Sequence, residues 1–389
     1  MVIRSSSKQA WVCALLLVAL VAGTFIVSTA LAGPQAKKAG AAKAPAKAAG
    51  EQPKFKAIWE PVNVKEDVEL YSVHFASEEE GWVAGGAGVM SGGVIYHTKD
   101  GGNTWELQIG DPQSSDRAFK DLRFLDATHG FAVQGSQSDH KLYSTSDGQT
   151  WVPVGNIAEH RRDFQFTSMT TGFSLQRGAI QMTRDSGKKW QTVYPCRIKT
   201  EINGLTRDVD CTFERIFFVS PQVGYAVSLA LPERTGSALA KTEDGGMTWT
   251  IWIILPGENA AEGALLFTDE NTGYLRTREV NLFKTTDGGT TWSGMGGQAP
   301  EGRPDFDFAG RDVGWMIAYH KVGFTTDAGK RWSSREIAWP TSANAFCLPT
   351  PQRGYVVGEH GMVYRYRIVP VEYSSKGMLA APMMPMKTP

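Results

Sequence analysis

The sequence is poor in the residues on which catalytic and metal-binding sites are usually built. It has seven histidines and four cysteines among 389 residues, and no two histidines have the close spacing of a metal-binding motif. No Gly-x-Ser-x-Gly nucleophile elbow is present. Glycine-rich stretches such as Gly85-Gly-Ala-Gly88 lie between predicted strands rather than before a helix, so a phosphate-binding loop is not expected. We predict no metal, no cofactor and no nucleic-acid partner.

An excess of charge of either sign is also missing, because 40 Lys and Arg balance 40 Asp and Glu. The balance is uneven along the chain. Residues 33–55 are almost entirely Ala, Lys, Pro, Gly and Gln, a composition typical of an extended linker without a core. Residues 57–371 hold 30 Lys and Arg against 38 Asp and Glu, so this central part is acidic. Residues 371–389, rich in Met and Pro, are predicted to form a disordered tail.

The N-terminus has the order of a secretory signal peptide. Arg4 and Lys8 precede an apolar run over residues 10–27, and Ala30-Leu-Ala32 supplies the small residues of a cleavage site. The run is also long enough to remain as an uncleaved membrane anchor. Residues 1–32 are therefore predicted to be a signal peptide or a membrane anchor. In either case we expect an exported protein, periplasmic or lumenal, that is soluble after cleavage or tethered near the membrane.

A short hairpin motif, Thr-x-Asp-x-Gly-x-x-Trp, recurs six times with small variations. The Asp side chain accepts hydrogen bonds from the N–H groups of its own turn, and the following Gly adopts a positive φ. The six copies therefore predict tight β-hairpins whose carboxylates are structural rather than catalytic. Their aspartates are Asp100, Asp147, Asp185, Asp244, Asp287 and Asp327.

A second marker, Gly followed by an aromatic residue, recurs seven times in phase with the first. The seven copies begin at Gly81, Gly130, Gly172, Gly224, Gly273, Gly314 and Gly354. Units of about 40 to 50 residues with four strands each are typical of β-propeller blades. The segment around Trp59 supplies the seventh outer strand. We predict an all-β, seven-bladed β-propeller over residues 56–370, with four-stranded blades and an N-terminal strand that closes the last blade.

The four cysteines divide into three groups. Cys13 lies in the signal or anchor segment, and Cys347 occupies an inner-strand position where a buried free thiol is expected. Cys196 and Cys211 flank an unusually long connection between strands. Exported proteins form disulfides, so we predict a bridge between these two residues.

The hairpin motif resembles that of the Asp-box, or bacterial neuraminidase repeat, propellers. Sialidases of this superfamily bind a carboxylate through three arginines and use a Tyr activated by Glu as nucleophile. They also carry a Phe-Arg-Ile-Pro-like segment ahead of the first hairpin, which this chain lacks before Asp100. Arg367-Ile-Val-Pro370 is similar but lies at the opposite end of the ring. A glycan-binding or sialidase-like glycoside hydrolase is the alternative to the function that the next resemblance implies.

The combined spacing of the two markers is similar to that of the photosystem II assembly and stability factor family. Trp82-Val-Ala-Gly85, Phe131-Ala-Val-Gln-Gly135 and Tyr355-Val-Val-Gly358 carry the resemblance, whereas the third, fifth and sixth repeats match less well. The resemblance implies an exported, non-catalytic propeller that docks a membrane-protein subunit through a face with an arginine patch. We therefore expect a protein partner, no enzymatic activity and a monomer.

We expect the partner to bind the face opposite the Asp-box hairpins, because its loops vary in length and loops on a rigid scaffold often carry recognition. Arg161 and Arg162 form one double site there, and Arg276 and Arg278 form another. Both are suited to bidentate binding of carboxylate or phosphate groups. The complete predicted set is Arg117, Arg161, Arg162, Arg276, Arg278 and Arg303. The alternative is that these residues are solvated surface charges.

Overall fold

A computed structural model of the chain describes residues 55–88, 92–136, 139–157, 164–176, 178–232, 235–256, 260–277, 281–295 and 305–370. These residues form strands, turns and loops, and none of their segments is a helix with the length and hydropathy to cross a membrane. The predicted signal peptide or anchor at 1–32 and the tail at 371–389 lie outside the described residues. The predicted linker at 33–55 also does, except for Phe55.

Seven four-stranded antiparallel sheets follow one another along the chain, which confirms the predicted blade count. Strands are numbered from the N-terminus. Blade 1 contains β2 (Glu69–Phe75), β3 (Gly81–Gly86), β4 (Val94–Thr98) and β5 (Glu106–Gly110). Blade 2 contains β6 (Phe119–Phe124), β7 (Gly130–Ser136), β8 (Asp139–Thr145) and β9 (Val152–Ile157). Blade 3 contains β10 (Phe164–Phe166), β11 (Gly172–Gln176), β12 (Ala179–Thr183) and β13 (Gln191–Tyr194).

A two-stranded sheet of β14 (Arg197–Ile202) and β15 (Leu205–Asp210) interrupts the series. Blade 4 contains β16 (Phe213–Phe218), β17 (Gly224–Ala230), β18 (Ser237–Thr242) and β19 (Thr250–Ile254). Blade 5 contains β20 (Ala260–Phe267), β21 (Gly273–Thr277), β22 (Leu282–Thr285) and β23 (Ser293–Gly294). Blade 6 contains β24 (Asp305–Ala309), β25 (Val313–Ala318), β26 (Lys321–Thr325) and β27 (Ser333–Glu336). Blade 7 contains β28 (Ala343–Thr350), β29 (Arg353–Gly358), β30 (Val363–Pro370) and, as its outer strand, β1 (Phe55–Pro61).

The Gly-aromatic marker owes its recurrence to the packing between blades. Phe75 at the end of the inner strand lies opposite Gly81, and a Cβ on that glycine would fall 2.4 Å from the Phe75 ring. At six of the seven interfaces, the aromatic residue after the glycine stacks on the equivalent Phe of the next blade. Six stacks have ring centroids 3.4–4.3 Å apart: Trp82 on Phe124, Phe131 on Phe166, Phe173 on Phe218, Tyr225 on Phe267, Tyr274 on Phe308 and Tyr355 on Phe75. At the seventh interface Trp315 packs with Leu348.

The N-terminal strand closes the ring, as predicted. β1 pairs antiparallel with β30 from Phe55–Pro370 to Pro61–Tyr364. The Trp59 ring lies 5.2–5.5 Å, centroid to centroid, from three aromatic rings of blades 6 and 7 and the segment between them, namely Trp315, Trp339 and Tyr366. Because β1 covers the outer edge of β30, the seventh blade has the same four strands as the others.

The connection between blades 3 and 4 is a β-hairpin that the sequence analysis did not assign. A disulfide joins Cys196 to Cys211 at its base, and Asn203 and Gly204 at its tip both have positive φ, at 52° and 74°. Ile198 packs on Leu231 and Ala238 of blade 4, so the hairpin is anchored to the ring. Cys347 carries a free thiol, as predicted, but it is half-buried rather than buried.

Candidate functional site

The Asp-box carboxylates are occupied by their own hairpins. In each of the six copies the Thr two positions earlier donates its hydroxyl to the Asp, at 2.8–3.0 Å. In the fourth copy the hydroxyl and the N–H of Thr248 also donate to Asp244, at 2.6 and 2.9 Å. These hydrogen bonds, led by the Thr248 hydroxyl, lower the pKa of Asp244 to about 2. The Asp-box face therefore offers turn carboxylates that already have partners.

The predicted arginines are only partly within the described residues. Arg161, Arg162, Arg278 and Arg303 lie outside them. Arg117 is half-buried just before β6. Arg276 was expected in a loop, but it lies within β21 and is 4% exposed. The reason is that the second strand of a blade is enclosed by its neighbours, and every residue from Gly273 to Thr277 is buried. Arg276 is therefore not positioned to contact a partner directly.

An axial cavity of about 840 Å³ lies where the inner strands of all seven blades meet. One residue of each inner strand, just before the Phe that packs on glycine or, in blade 7, before Leu348, forms a ring around this cavity. The seven ring residues are His74, Arg123, Gln165, Phe217, Leu266, Asp307 and Cys347, and each lies opposite the aromatic residue that follows the glycine. Unlike the Asp-box residues, these seven differ in chemistry from blade to blade.

Two of the ring residues connect neighbouring inner strands. The Gln165 side chain accepts from the N–H of Phe218 and donates to its carbonyl, at 2.8 and 2.7 Å. Asp307 accepts from the N–H of Leu348 at 2.6 Å. Since parallel inner strands of different blades share no ladder, such side chains supply hydrogen bonds between them. These polar groups hold the ring together and are not available to a ligand.

The cavity also contains cations that the sequence analysis did not identify. The side chain of Arg123 is 49% exposed, and its Nη2 lies 3.3 Å from an oxygen of Asp121. The Lys120 ammonium lies 3.4 Å from the centre of the Tyr71 ring, and burial lowers the pKa of Lys120 to about 8. Burial, with a smaller effect of Arg123, lowers the pKa of His74 to about 4, so this imidazole is neutral at pH 7.

A tyrosine–glutamate pair lies at the same cavity. The Tyr71 hydroxyl donates a hydrogen bond to Glu69. Burial, followed by that hydrogen bond, raises the pKa of Tyr71 above its usual range. A phenol with a raised pKa remains protonated, which is the opposite of what an activated nucleophile requires. Among the described residues no group of three His, Cys, Asp or Glu side chains is arranged to hold a metal ion.

Comparisons with known proteins agree with this architecture. Residues 52–213 match the family described as photosynthesis system II assembly factor YCF48. No curated protein matches the chain. Two similar solved structures are YCF48 bound to D1 peptide, with 19% identity and a TM-score of 0.54, and YCF48 from Cyanidioschyzon merolae, with 16% identity and a TM-score of 0.56. Both alignments cover 79% of this chain, and they cover 96% and 98% of the two relatives.

The same fold occurs in enzymes. Virginiamycin B lyase from Staphylococcus aureus has 11% identity and a TM-score of 0.56, with 81% of this chain and 100% of that chain covered. The GH74 enzyme of Niastella koreensis has 14% identity and a TM-score of 0.54, with 79% and 53% covered. At such identities the likeness shows the fold alone. The chain is thus a seven-bladed propeller with Asp-box hairpins. Its residues 52–213, which span the first three blades, resemble the photosystem II assembly factor YCF48 family.

Proposed function

We propose that this chain is a non-catalytic propeller that binds a protein partner and assists the assembly or stability of a membrane complex, in the manner of photosystem II assembly factors. The observation that carries the proposal is the family match over residues 52–213. One similar solved structure shows YCF48 bound to D1 peptide. This supports a peptide segment of a membrane-protein subunit as the partner of the present chain. Export to the periplasm or lumen, a membrane-proximal N-terminus and a monomeric state are parts of the same proposal.

The face opposite the Asp-box hairpins is the better candidate for docking. The hairpins on the Asp-box face repeat one hydrogen-bond pattern, in which carboxylates and hydroxyls satisfy each other. The opposite face carries the connections between blades, including the hairpin of β14 and β15 with its cross-strand ion pair between Arg197 and Asp210. Connections that differ between blades give a rigid ring an irregular surface, which is what specific recognition requires.

The test is charge reversal at two pairs of basic residues, one pair predicted to lie on the loop face and one in the Asp-box hairpin of blade 3. Arg161 and Arg162 precede its inner strand, whereas Lys188 and Lys189 are exposed in its Asp-box hairpin. Binding of a synthetic D1 peptide is measured by fluorescence anisotropy at low and moderate salt. Replacing Arg161 and Arg162 with Glu is expected to weaken binding by about fivefold or more, with the larger effect at low salt. The Lys188→Glu, Lys189→Glu control is expected to bind as the wild type does. Equal binding by both double variants contradicts the proposed face.

A sialidase-like hydrolase is the second candidate, and the hydrogen bond between Tyr71 and Glu69 at the axis favours it. The raised pKa of Tyr71 argues against it. The described residues that line the cavity include only two arginines, Arg123 and Arg215, rather than the three of a sialidase clamp. Turnover of a fluorogenic sialoside by the wild type, lost in Tyr71→Phe, would replace the assembly proposal with the enzymatic one.

A further inference from the structure

The lining of the axial cavity includes both cationic and apolar side chains. Lys120 and Arg123 of blade 2 line one side. Phe217 of blade 4 and Leu266 of blade 5 occupy the same position in their inner strands as Arg123 does in β6 of blade 2. Both are half-buried, so each packs on its blade and presents the rest of its surface to the cavity. A ligand that fills this space therefore meets the two cations of blade 2 and the hydrocarbon of Phe217 and Leu266, with Arg215 next to Phe217.

Lys120 faces the cavity because a β-bulge places it there. The register of β6 against β7 shifts between Phe119 and Asp121, which leaves Lys120 as the extra residue. Bulges re-aim a side chain relative to the regular strand alternation. The ammonium lies over the Tyr71 ring, and among the described residues it donates no hydrogen bond. An ammonium has three donors, and those of Lys120 are therefore available to a ligand in the cavity.

The described acidic side chains that line the cavity, and Glu69 beside Tyr71, already have other partners. Asp121 accepts from the Ser72 hydroxyl at 3.2 Å and lies beside Arg123. Asp307 accepts from two backbone N–H groups, those of Phe308 and Leu348. Glu69, whose charge opposes the lowering of the Lys120 pKa, accepts from Tyr71. No carboxylate among these is left to serve Lys120 alone.

The charge of the cavity is opposite to that of the ring. Among the described residues, the charged side chains that line it are Lys120, Arg123 and Arg215 against Asp121 and Asp307, and His74 is neutral. The central part of the chain carries an excess of acidic residues. Positive charge lining a cavity of an otherwise acidic domain concentrates anions at that point. The volume of about 840 Å³ lies in the range of small-molecule pockets.

We propose that the axial cavity binds a small organic dicarboxylate with an apolar body, held at its two ends by Lys120 and Arg123 and along its length by Phe217 and Leu266. The two cations belong to residues three apart in β6, whose Cα atoms lie at most roughly 10 Å apart. A dicarboxylate with a chain of about nine carbons spans this distance. The site is additional to partner docking on the loop face, and it does not depend on that function.

The test measures three ligands of one length against the full chain by isothermal titration calorimetry. Nonanedioate carries two carboxylates, nonanoate carries one, and nonane-1,9-diol carries none. Nonanedioate is expected to bind about tenfold more tightly than nonanoate, because each charge-assisted hydrogen bond adds to affinity. The diol is expected not to bind measurably. This series uses the wild-type protein only, so it does not depend on the folding of any variant. Equal affinity for the three ligands, or no binding by any of them, would overturn the proposal.

Variants then locate the site. Lys120→Met and Arg123→Met keep the apolar stems and remove the charges, and each is expected to weaken nonanedioate binding by about tenfold. Lys141→Met is the matched control, since Lys141 is an exposed lysine of the same blade that does not line the cavity. Unchanged affinity in Lys120→Met, or an equal loss in Lys141→Met, would place binding elsewhere and reject the axial site. Binding of D1 peptide is expected to be the same in all three variants.

Discussion

The Asp-box hairpins and the inner strands are both repeated around the ring, but they differ in how much their chemistry varies. Each hairpin has the same Thr and Asp in the same hydrogen bonds. The equivalent ring position of the inner strands holds His, Arg, Gln, Phe, Leu, Asp or Cys. A position that is identical in every blade serves the packing that every blade shares. A position that changes between blades is free to serve a function, because the fold does not require one residue type there.

Removing the strand that completes blade 7 is expected to have the largest effect on stability, because every blade needs four strands. Deleting residues 55–64 removes β1, its pairing with β30 and the Trp59 contacts with Trp315, Trp339 and Tyr366. We expect the melting temperature to fall by more than about 10 °C, because an edge strand and a core tryptophan are lost together. Circular dichroism against temperature is the measurement. An unchanged melting temperature would show that ring closure does not stabilise the propeller.

A shared glycine is expected to have an intermediate effect. A Cβ on Gly224 would lie 2.6 Å from the Phe218 ring, and this glycine does not have a positive φ, so the clash alone is tested. Gly224→Ala is expected to lower the free energy of unfolding by about 2 kcal/mol in urea titrations. Gly294→Ala is the control, because its Cβ would meet only Phe283, at 3.9 Å. Equal stability of the two variants would mean that the Phe–Gly contact is dispensable.

A single Asp-box carboxylate is expected to have the smallest effect, and that effect depends on pH. The pKa of Asp244 is lowered to about 2, below its ordinary value of 3.8. Its contribution to stability is therefore present above about pH 4 and is lost as the pH falls through about 2. Asp244→Asn is expected to be less stable than the wild type at pH 6, and the difference is expected to shrink towards pH 2. Urea midpoints across this range measure it. If the difference in stability between the wild type and Asp244→Asn were the same at all pH values, ionisation of Asp244 would not contribute to the stability of the hairpin.

The fold was predictable because its signals are local. Asp and Gly specify the turn, and a glycine is needed wherever Phe218 or its equivalents pack on the opposite strand. The hairpin of β14 and β15 was also readable, since Ile202-Asn-Gly-Leu205 has the Asn-Gly turn typical of two-residue hairpins. The flanking cysteines predict the disulfide but carry no information on the strands between them.

The axial cavity was less predictable for a physical reason. Lys and Arg within Phe119-Lys-Asp-Leu-Arg-Phe124 mark an inner strand with unusual charge, and this signal is present in the sequence. The direction of the Lys120 side chain, however, depends on a bulge. Its nearness to Tyr71 depends on how two blades pack. The Arg276 prediction failed for another reason, because this residue lies inside the buried second strand of its blade rather than in the loop that follows.

Closure by the N-terminal strand also determines the order in which the ring can form. Glu60 of β1 is synthesised early, whereas Arg365 and Arg367, which donate hydrogen bonds to its carboxylate, are synthesised 305 and 307 residues later. Each of the first six blades pairs strands that are neighbours in the chain, so each can form while synthesis continues. Blade 7 must wait for both ends. The first strand to be synthesised is thus the last to pair. We expect the pairing of β1 with β30 to be the slowest step of folding.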